Sequence, residues 1–559
     1  MIKRIFLLFF GLLFMMSCAA QMPKEDSNDS NETQDVIDNN SRPKLVVGIV
    51  VDQMRYDYLT RFYDKFGQGG FKRMINEGFN CKNNHFNYIP TYTGPGHASV
   101  HTGTTPKYHG VISNYWYDKE LKTSVYCAGD DNVAPVGTTN NAGKMSPHRM
   151  QTTTFADENR LFSQMRGKTI GVSLKDRGAI LPAGHTANAA YWFHGKDEGA
   201  WITSTFYMNA LPQWVTDFNT SNKAESYFKE WNTLYDISTY VESGSDENTF
   251  ERGFKGKDKA VFPYDLAALK VDNSGFDILK ETPYGNSLTT DFAIAAIEGE
   301  GLGKDQFTDV LALSFSSTDY VGHNFGVNSK EVEDTYIRLD KDLERLFNYL
   351  DTQVGAGEYT VFLTADHGAV NVPSYLSSVN IPAGYVSNSD RKEKFQAFLK
   401  ATYGTADILE NISNNQIFLN RAKIMELGLD LSDVQQAIVN EQITYDNVAK
   451  AYSATTMNAA NFTEGIESLL QNGYNQKRSG DVIVVNDVAF ISYSRTGSTH
   501  GSGLNYDTHV PLLFFGKGIK QGSTYQKTII PDIAPTLSAL LGISFPNAAT
   551  GQPLEFVID

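Results

Sequence analysis

The chain has 559 residues, with 48 Lys and Arg against 64 Asp and Glu, a formal net charge of −16. That length holds one large domain with insertions or several smaller ones, and 41% hydrophobic residues suffice for a sizeable core. The acidic balance excludes non-specific nucleic-acid binding, which needs a basic face, but leaves open an anionic small substrate met by local cations or metals.

Residues 1–18, MIKRIFLLFFGLLFMMSC, have a basic start, an apolar run and a small residue before cysteine. This pattern predicts a secretory signal, too short and too early for a membrane span. Met15-Met16-Ser17-Cys18 also fits a bacterial lipoprotein cleavage box, which makes Cys18 a lipidation site; ordinary cleavage after Ala20 is the alternative. The reading implies an exported protein, periplasmic or anchored to the outer membrane of a Gram-negative cell, touching a membrane only through Cys18. Residues 19–43, rich in Asp, Asn, Ser and Glu, predict a solvated tether. Cys81 and Cys127 then remain; an oxidising compartment allows a disulfide between them, and the sequence leaves open whether they pair.

Order is predicted to begin at KLVVGIVVDQ (44–53), an apolar run ending in an acid. The same grammar recurs in DVLALSFSSTD (309–319) and YTVFLTADHG (359–368). Such continuous runs predict strands buried on both faces, as in a parallel sheet. A helix is predicted over 331–351, with Ile337, Leu339, Leu343, Leu346, Phe347 and Leu350 on its apolar face. The alternation predicts an α/β fold: a single catalytic domain over 44–559, with a mostly parallel central sheet flanked by helices. Residues about 185–300, rich in aromatics, and about 388–480, a mixture of helix and loop, predict cap-like insertions.

Ligands of open parallel sheets gather outside the carboxyl ends of the strands. Three apolar runs here end in metal-competent side chains: Asp52, Asp319 and the pair Asp366-His367. His323 follows Asp319 by four residues, one helical turn, and His500 stands in the glycine-rich GSTHGSGLNYDTHVPLLFFG (497–516). Taken singly, each is equally a helix cap or a surface histidine. Together, three carboxylates and three histidines after separate strands make two mixed N/O sites of the kind zinc favours, and two nearby cations suit in-line displacement at phosphorus. Between the first two runs lies TYTGPGHASVHTG (91–103), whose Thr93 reads either as a helix cap or as a nucleophile.

The motifs VVDQMRYDYL, PTYTGPGHASVHTGTTPKYHGVISNYWYD, SLKDRGAILPAG, SSTDYVGHNFG, TADHG and THGSGLNYDTHVPLLFFG, in this order, resemble the alkaline phosphatase superfamily. They are most similar to its PafA-type periplasmic phosphomonoesterases, which in turn resemble nucleotide pyrophosphatase/phosphodiesterases. The resemblance runs from about Lys44 to the C-terminus and implies a three-layer alkaline-phosphatase-like core. It makes Thr93 the nucleophile and implies two zinc ions: one held by Asp319, His323 and His500, the other by Asp52, Asp366, His367 and the Thr93 oxygen. It also assigns Asn114, Lys175 and Arg177 to the phosphoryl oxygens, with Lys175 standing where other members place a third metal. For Lys175 and Arg177 the residues alone leave a surface pair open, though on an extended segment their spacing points them the same way.

The implied reaction is two-step hydrolysis of small phosphate monoesters of broad range through a phospho-threonine, by a monomer. A phosphodiesterase or nucleotide pyrophosphatase of the same superfamily is the alternative, and a non-catalytic surface lipoprotein a remote one. A sulfatase is disfavoured because Thr93-Gly94-Pro95-Gly96-His97 lacks the modifiable residue and the arginine of that branch. Thr91, His97, His101, His109 and His509 read as structural, with a supporting place behind the zinc ligands left open for His509.

Overall fold

A computed structural model describes residues 42–559, apart from 197. The strand Leu45–Val51 (β1) is Val- and Ile-rich, and all seven of its residues are buried. It has parallel neighbours on both sides, Asp309–Phe315 and Tyr359–Thr364. Seven further strands complete the sheet: Phe79–Cys81 (β2), Pro135–Val136 (β3), Thr169–Ser173 (β4), Ala189–His194 (β5), Ala200–Ser204 (β6), Leu512–Gly516 (β9) and Gly522–Thr524 (β10). With Asp309–Phe315 as β7 and Tyr359–Thr364 as β8, the order is β10-β2-β9-β8-β1-β7-β4-β5-β6-β3. The five central strands β8, β1, β7, β4 and β5 are parallel, and β9, β6 and β3 pair antiparallel toward the edges. β-Branched and aliphatic side chains suit strands covered on both faces, so the apolar runs of the sequence become the middle of the sheet.

Register sets the site. Val50 of β1 lies level with Ser314 of β7 and Thr364 of β8. The residues that follow these strands therefore emerge at one edge of the sheet.

Four helices matter to that edge. Thr93–Thr102 (α1) is buried at every residue. Asp176–Ala183 (α2) packs on α1, Ser317–Phe325 (α4) follows β7, and Lys330–Leu350 (α5) is capped by Ser329, whose Oγ accepts from Val332 N at 3.1 Å. Between α2 and α4, Pro283–Glu300 (α3) packs on α5. The residues predicted for the apolar face of α5 are all buried. The small residues of α1 have a steric purpose. A Cβ on Gly96 would lie 2.4 Å from the Asp366 carbonyl oxygen, so only glycine lets this helix close onto the end of β8.

Two expectations need correction, and one open question is answered. The first insertion is narrower than 185–300, because β5 and β6 belong to the main sheet and α3 is a core helix; the inserted stretch lies between Ser204 and Pro283. The second, expected as helix and loop over 388–480, runs on to Asn486 and builds a four-stranded antiparallel sheet of Leu409–Ser413, Gln416–Leu419, Val482–Asn486 and Val448–Ser453. Its edge strands are half-exposed and lack the continuous apolar runs that mark a buried strand, while Phe395, Leu399, Ile417, Val434, Ile438 and Val482 form its own core. Finally, Cys81 and Cys127 are both free and buried. Cys81 is on β2 between β9 and β10, whereas Cys127 packs beside Gly94 in a separate hydrophobic cluster, so the fold keeps the two sulfurs apart. The predicted signal, the anchor at Cys18 and the tether lie outside the described residues.

Candidate active site

Asp52 follows β1 by one residue, Asp366 and His367 follow β8, and Asp319 and His323 lie one turn apart on α4. His500 arrives on the loop before β9. The structure brings all six into two candidate metal-ligand groups, Asp319–His323–His500 and Asp52–Asp366–His367, with one potential ligand atom of each residue within 4.8 Å of the others in its group. His323 Nε2 is 3.2 Å and His500 Nε2 3.7 Å from Asp319 Oδ1. His367 Nε2 is 3.5 Å from both Asp52 Oδ1 and Asp366 Oδ2. The groups share a wall, for the His367 and His500 rings stack at 3.4 Å between centroids.

Each histidine is held by its other ring nitrogen. Nδ1 of His323 meets Ser498 O at 2.7 Å, Nδ1 of His500 meets Thr91 O at 2.7 Å, and Nδ1 of His367 meets Gly368 O at 3.0 Å. A carbonyl only accepts, so Nδ1 carries the proton and Nε2 presents its lone pair, the form that ligates a metal. Asp52 Oδ1 and His367 Nε2 are buried and have no hydrogen-bond partner among the described residues. Leaving such atoms unpaired is costly, and a cation between them satisfies both.

The electrostatics agree with that donor set. Burial, then the Asp319 and Asp366 carboxylates, push the Asp52 carboxyl well above its ordinary value. At Asp319 burial acts upward too, but His323 and Lys175 outweigh it and hold the carboxyl well below the usual range. Burial lowers His367 and His500, which favours neutral imidazole. Three carboxylates thus face one nearby ammonium, Lys175. The surplus negative charge calls for cations.

Thr93 is the first residue of α1 and does not cap it: the N-cap is Tyr92, without a side-chain bond. Its hydroxyl therefore sits at the positive end of a buried helix without capping it. Arg177 Nη2 is 3.5 Å from Thr93 Oγ1, and Arg177 Nη1 is 3.2 Å from the Tyr126 hydroxyl, which itself bonds Asp176. Asn114 Oδ1 accepts from Gly94 N at 2.7 Å, which leaves its NH2 as the outward donor. Lys175 Nζ donates to Asp52 Oδ2 at 2.6 Å and to Asp319 Oδ2 at 2.5 Å, one contact to each metal-ligand group. Lys175 and Arg177 do not share an extended segment, the conformation on which their spacing would point them the same way. Lys175 is the N-cap of α2 and Arg177 lies in its first turn, and the change from extended to helical backbone is what lets both converge.

Several supporting residues escaped the sequence reading. Gln53 Nε2 donates to Asp319 Oδ1 at 2.7 Å and its backbone N–H to Asp366 Oδ1 at 3.1 Å, so it ties the two groups together at a positive φ of 63°. His97, read as structural, lies against the ligands: Nδ1 is 2.9 Å from Thr93 O and 3.2 Å from Asp366 Oδ2, and Nε2 is 2.8 Å from Ser314 Oγ. His509, for which a place behind the ligands was open, stacks between Tyr56 and His85 and reaches Lys82 O. The signal for His97 was its spacing of one helical turn from Thr93, and for Gln53 its adjacency to Asp52.

A family model described as type I phosphodiesterase/nucleotide pyrophosphatase matches residues 46–510. The chain belongs to that family, within the alkaline phosphatase superfamily. Among members of this family, alkaline phosphatase PafA of Elizabethkingia meningoseptica is 46% identical over 521 residues, covering 92% of this chain and 95% of that one. A protein of Myroides odoratus named calcium-transporting ATPase is 43% identical over 523 residues, covering 93% and 95%. The crystal structure of wild-type PafA matches with a TM-score of 0.89 at 45% identity, covering 93% of this chain and 99% of that one. Murine ectonucleotide pyrophosphatase/phosphodiesterase 5, at 15% identity and a TM-score of 0.51, shares the fold.

Proposed function

We propose that the protein is a zinc-dependent alkaline phosphatase that hydrolyses phosphate monoesters through a covalent phospho-threonine at Thr93. The observation that carries this reading is the convergence of Lys175, Arg177 and Asn114 around Thr93 and the two ligand groups. A monoester dianion has three nonbridging oxygens, and charge spreads over them in the transition state, so preorganised donors favour it over a diester, which masks one oxygen with a second alkyl group.

The mixed carboxylate and imidazole donors of both groups suit zinc, with about two ions per chain. When bound, the metal lowers the pKa of the Thr93 hydroxyl and polarises the phosphoryl oxygens. Thr93 Oγ attacks phosphorus in line; its bond to phosphorus forms as the bond to the leaving alcohol breaks. Arg177 and the Asn114 amide orient the phosphoryl group, and Lys175 adds positive charge between Asp52 and Asp319. Water then cleaves the phospho-threonine, freeing inorganic phosphate and restoring the hydroxyl. The terminal phosphoryl group of ATP presents the same oxygens, so ATP hydrolysis falls within this reading.

The test is the ratio of kcat/KM for a monoester and a diester sharing one leaving group, with metal analysis on the same preparation. The expected result is a strong monoester preference and about two zinc ions per chain, with chelation abolishing turnover. A faster diester would overturn the monoesterase reading, and full activity without transition metal would overturn the mechanism. The protein is further read as an exported monomer acting on small phosphate monoesters, held to a membrane by lipid at Cys18. The basic and apolar pattern of residues 1–18 supports this, and Cys18→Ser should release the protein with unchanged specific activity. Retention on membranes would refute the anchor.

A further inference from the structure

The two ligand groups differ in access. The side chains of Asp52, Asp366 and His367 are wholly buried, whereas those of His323 and His500 are 21% and 6% exposed. Of the two, the group open to solvent is therefore Asp319–His323–His500. Two half-buried tyrosines flank it. Tyr92, the residue before Thr93, meets the His500 ring edge-on with 5.5 Å between centroids, and Tyr493 stacks on His323 at 5.6 Å. Tyr92 is held from behind by the loop before β9. At a φ of 122°, Gly501 comes so close that a Cβ there would lie 2.7 Å from Tyr92 Cε1.

A cavity of about 410 Å³ opens beside Tyr92, Thr499 and His500. Its opposite wall belongs to the second insertion. Leu470 comes from the helix Gly465–Gly473, Ile483 and Val485 come from the strand Val482–Asn486, and Ile89 joins them from the loop before α1. These four side chains pack in one small hydrophobic cluster. The main sheet and the insertion thus bound an apolar space large enough for a small organic group, and that space meets the catalytic edge at His500.

We propose that this cavity receives the alcohol half of the ester, and that the protein favours monoesters whose alcohol carries an apolar ring. The inference rests on the phosphatase reading of the site. Thr93 stands with the buried group, since His97, one turn further along α1, touches both Thr93 O and Asp366 Oδ2. In-line attack by Thr93 sends the alcohol out on the opposite side of phosphorus, over Asp319, His323 and His500. There Tyr92 offers the first aromatic surface, and the cavity lies beyond it. A ring against a ring is favoured beyond the area it buries. A short aliphatic alcohol reaches neither Tyr92 nor the cavity and gains nothing from them.

The experiment compares kcat/KM for 2-phenylethyl phosphate and ethyl phosphate, whose alcohols are of similar acidity, on the zinc-saturated protein. Expected is a preference of about tenfold or more for the phenylethyl ester. Val485→Trp fills the cavity from the insertion, away from the ligands, and should bring the preference close to one while ethyl phosphate turnover stays at the wild-type level. Ile466→Trp, on the same wall, should do likewise and covers the case in which the first variant does not fold. Tyr92→Leu should also lower the preference, whereas a tyrosine that only steadied His500 would on removal depress both esters alike. Equal kcat/KM for the two esters in the wild type, or an unchanged preference in a folded cavity-filling variant, would overturn the proposal and leave the phosphatase reading standing. Absence of turnover on both esters would overturn the two together.

Discussion

Replacing Lys175 by alanine separates what this side chain does for substrate from what it does for the metal ligands. Its ammonium makes two short contacts, 2.6 Å to Asp52 and 2.5 Å to Asp319, with all three side chains at least 96% buried. Each charge-assisted bond is worth about 1.5–3 kcal/mol, and breaking a buried ion pair typically costs about 3–5 kcal/mol. That loss falls on Asp52 and Asp319, which the proposed mechanism uses for every substrate, so it should lower monoester and diester turnover together. The donor role is different. Losing one preorganised donor to a phosphoryl oxygen costs roughly 3 kcal/mol, about a hundredfold in rate, and falls mainly on the monoester. The monoester-to-diester ratio of kcat/KM should therefore drop by about a hundredfold in Lys175→Ala, on top of a shared loss. The assay must run below saturation with one leaving group and with zinc content measured, because metal loss alone would depress both rates. Lys175→Met, which keeps the volume, should show the same ratio change. Equal losses on both substrates at full zinc occupancy would refute the reasoning and reduce Lys175 to a brace for the carboxylates.

The packing and the titrations give further outcomes to check. Thr93→Ala should abolish turnover of both ester classes while zinc still binds, since the six side-chain ligands remain; residual phospho-enzyme on rapid quenching would refute the nucleophile. Gly322→Ala would place a Cβ 2.0 Å from Gln53 Oε1 and displace the amide that holds Asp319, so zinc affinity should fall by about tenfold or more; wild-type metal content after dialysis would refute this. Burial pushes the Cys81 and Cys127 thiols up to about 12, so in a chain of residues 44–559 both should resist a thiol reagent until unfolding, and a disulfide found by mass spectrometry would refute the fold's separation of them. Burial raises Asp507 to about 7, with the Gly501 and Ser502 donors on its single Oδ2 opposing the shift, so the folded chain holds a proton there that the unfolded chain has released. That contribution to stability is full below the ordinary value of 3.8 and is lost as pH rises through about 7. Asp507→Asn keeps an acceptor oxygen, so its Tm should gain on wild type between pH 5 and pH 8, zinc being saturating; a constant difference would refute the assignment.

The candidate ligand residues were legible because a parallel sheet imposes a grammar on sequence. A strand covered on both faces must be apolar along its length, and its first polar residues fall where the chain leaves the sheet; hence Asp52, Asp319 and Asp366-His367 stand out after their runs. The strands around Val482–Asn486 escaped notice for the converse reason, since a small sheet with half-exposed edge strands needs no such run. Cap edges were misplaced because β5, β6 and α3 are aromatic-rich or neutral in pattern, and only their pairing and packing assign them to the core.

The sequence by itself determined the α/β class, the donors at the strand ends and the family, because local periodicity and ordered motifs are written along the chain. It did not determine which atoms meet. That His97 backs Asp366 while His509 stacks on Tyr56, that Lys175 bridges Asp52 and Asp319, and that Gln53 ties Asp319 to Asp366 follow from contacts between residues far apart in the chain. The same holds for the separation of Cys81 from Cys127 and for the cavity beside His500. Hydrogen-bond geometry and burial are properties of the folded chain, fixed by the register of the strands and by close approaches such as that of Gly96 to Asp366, and no local pattern carries them.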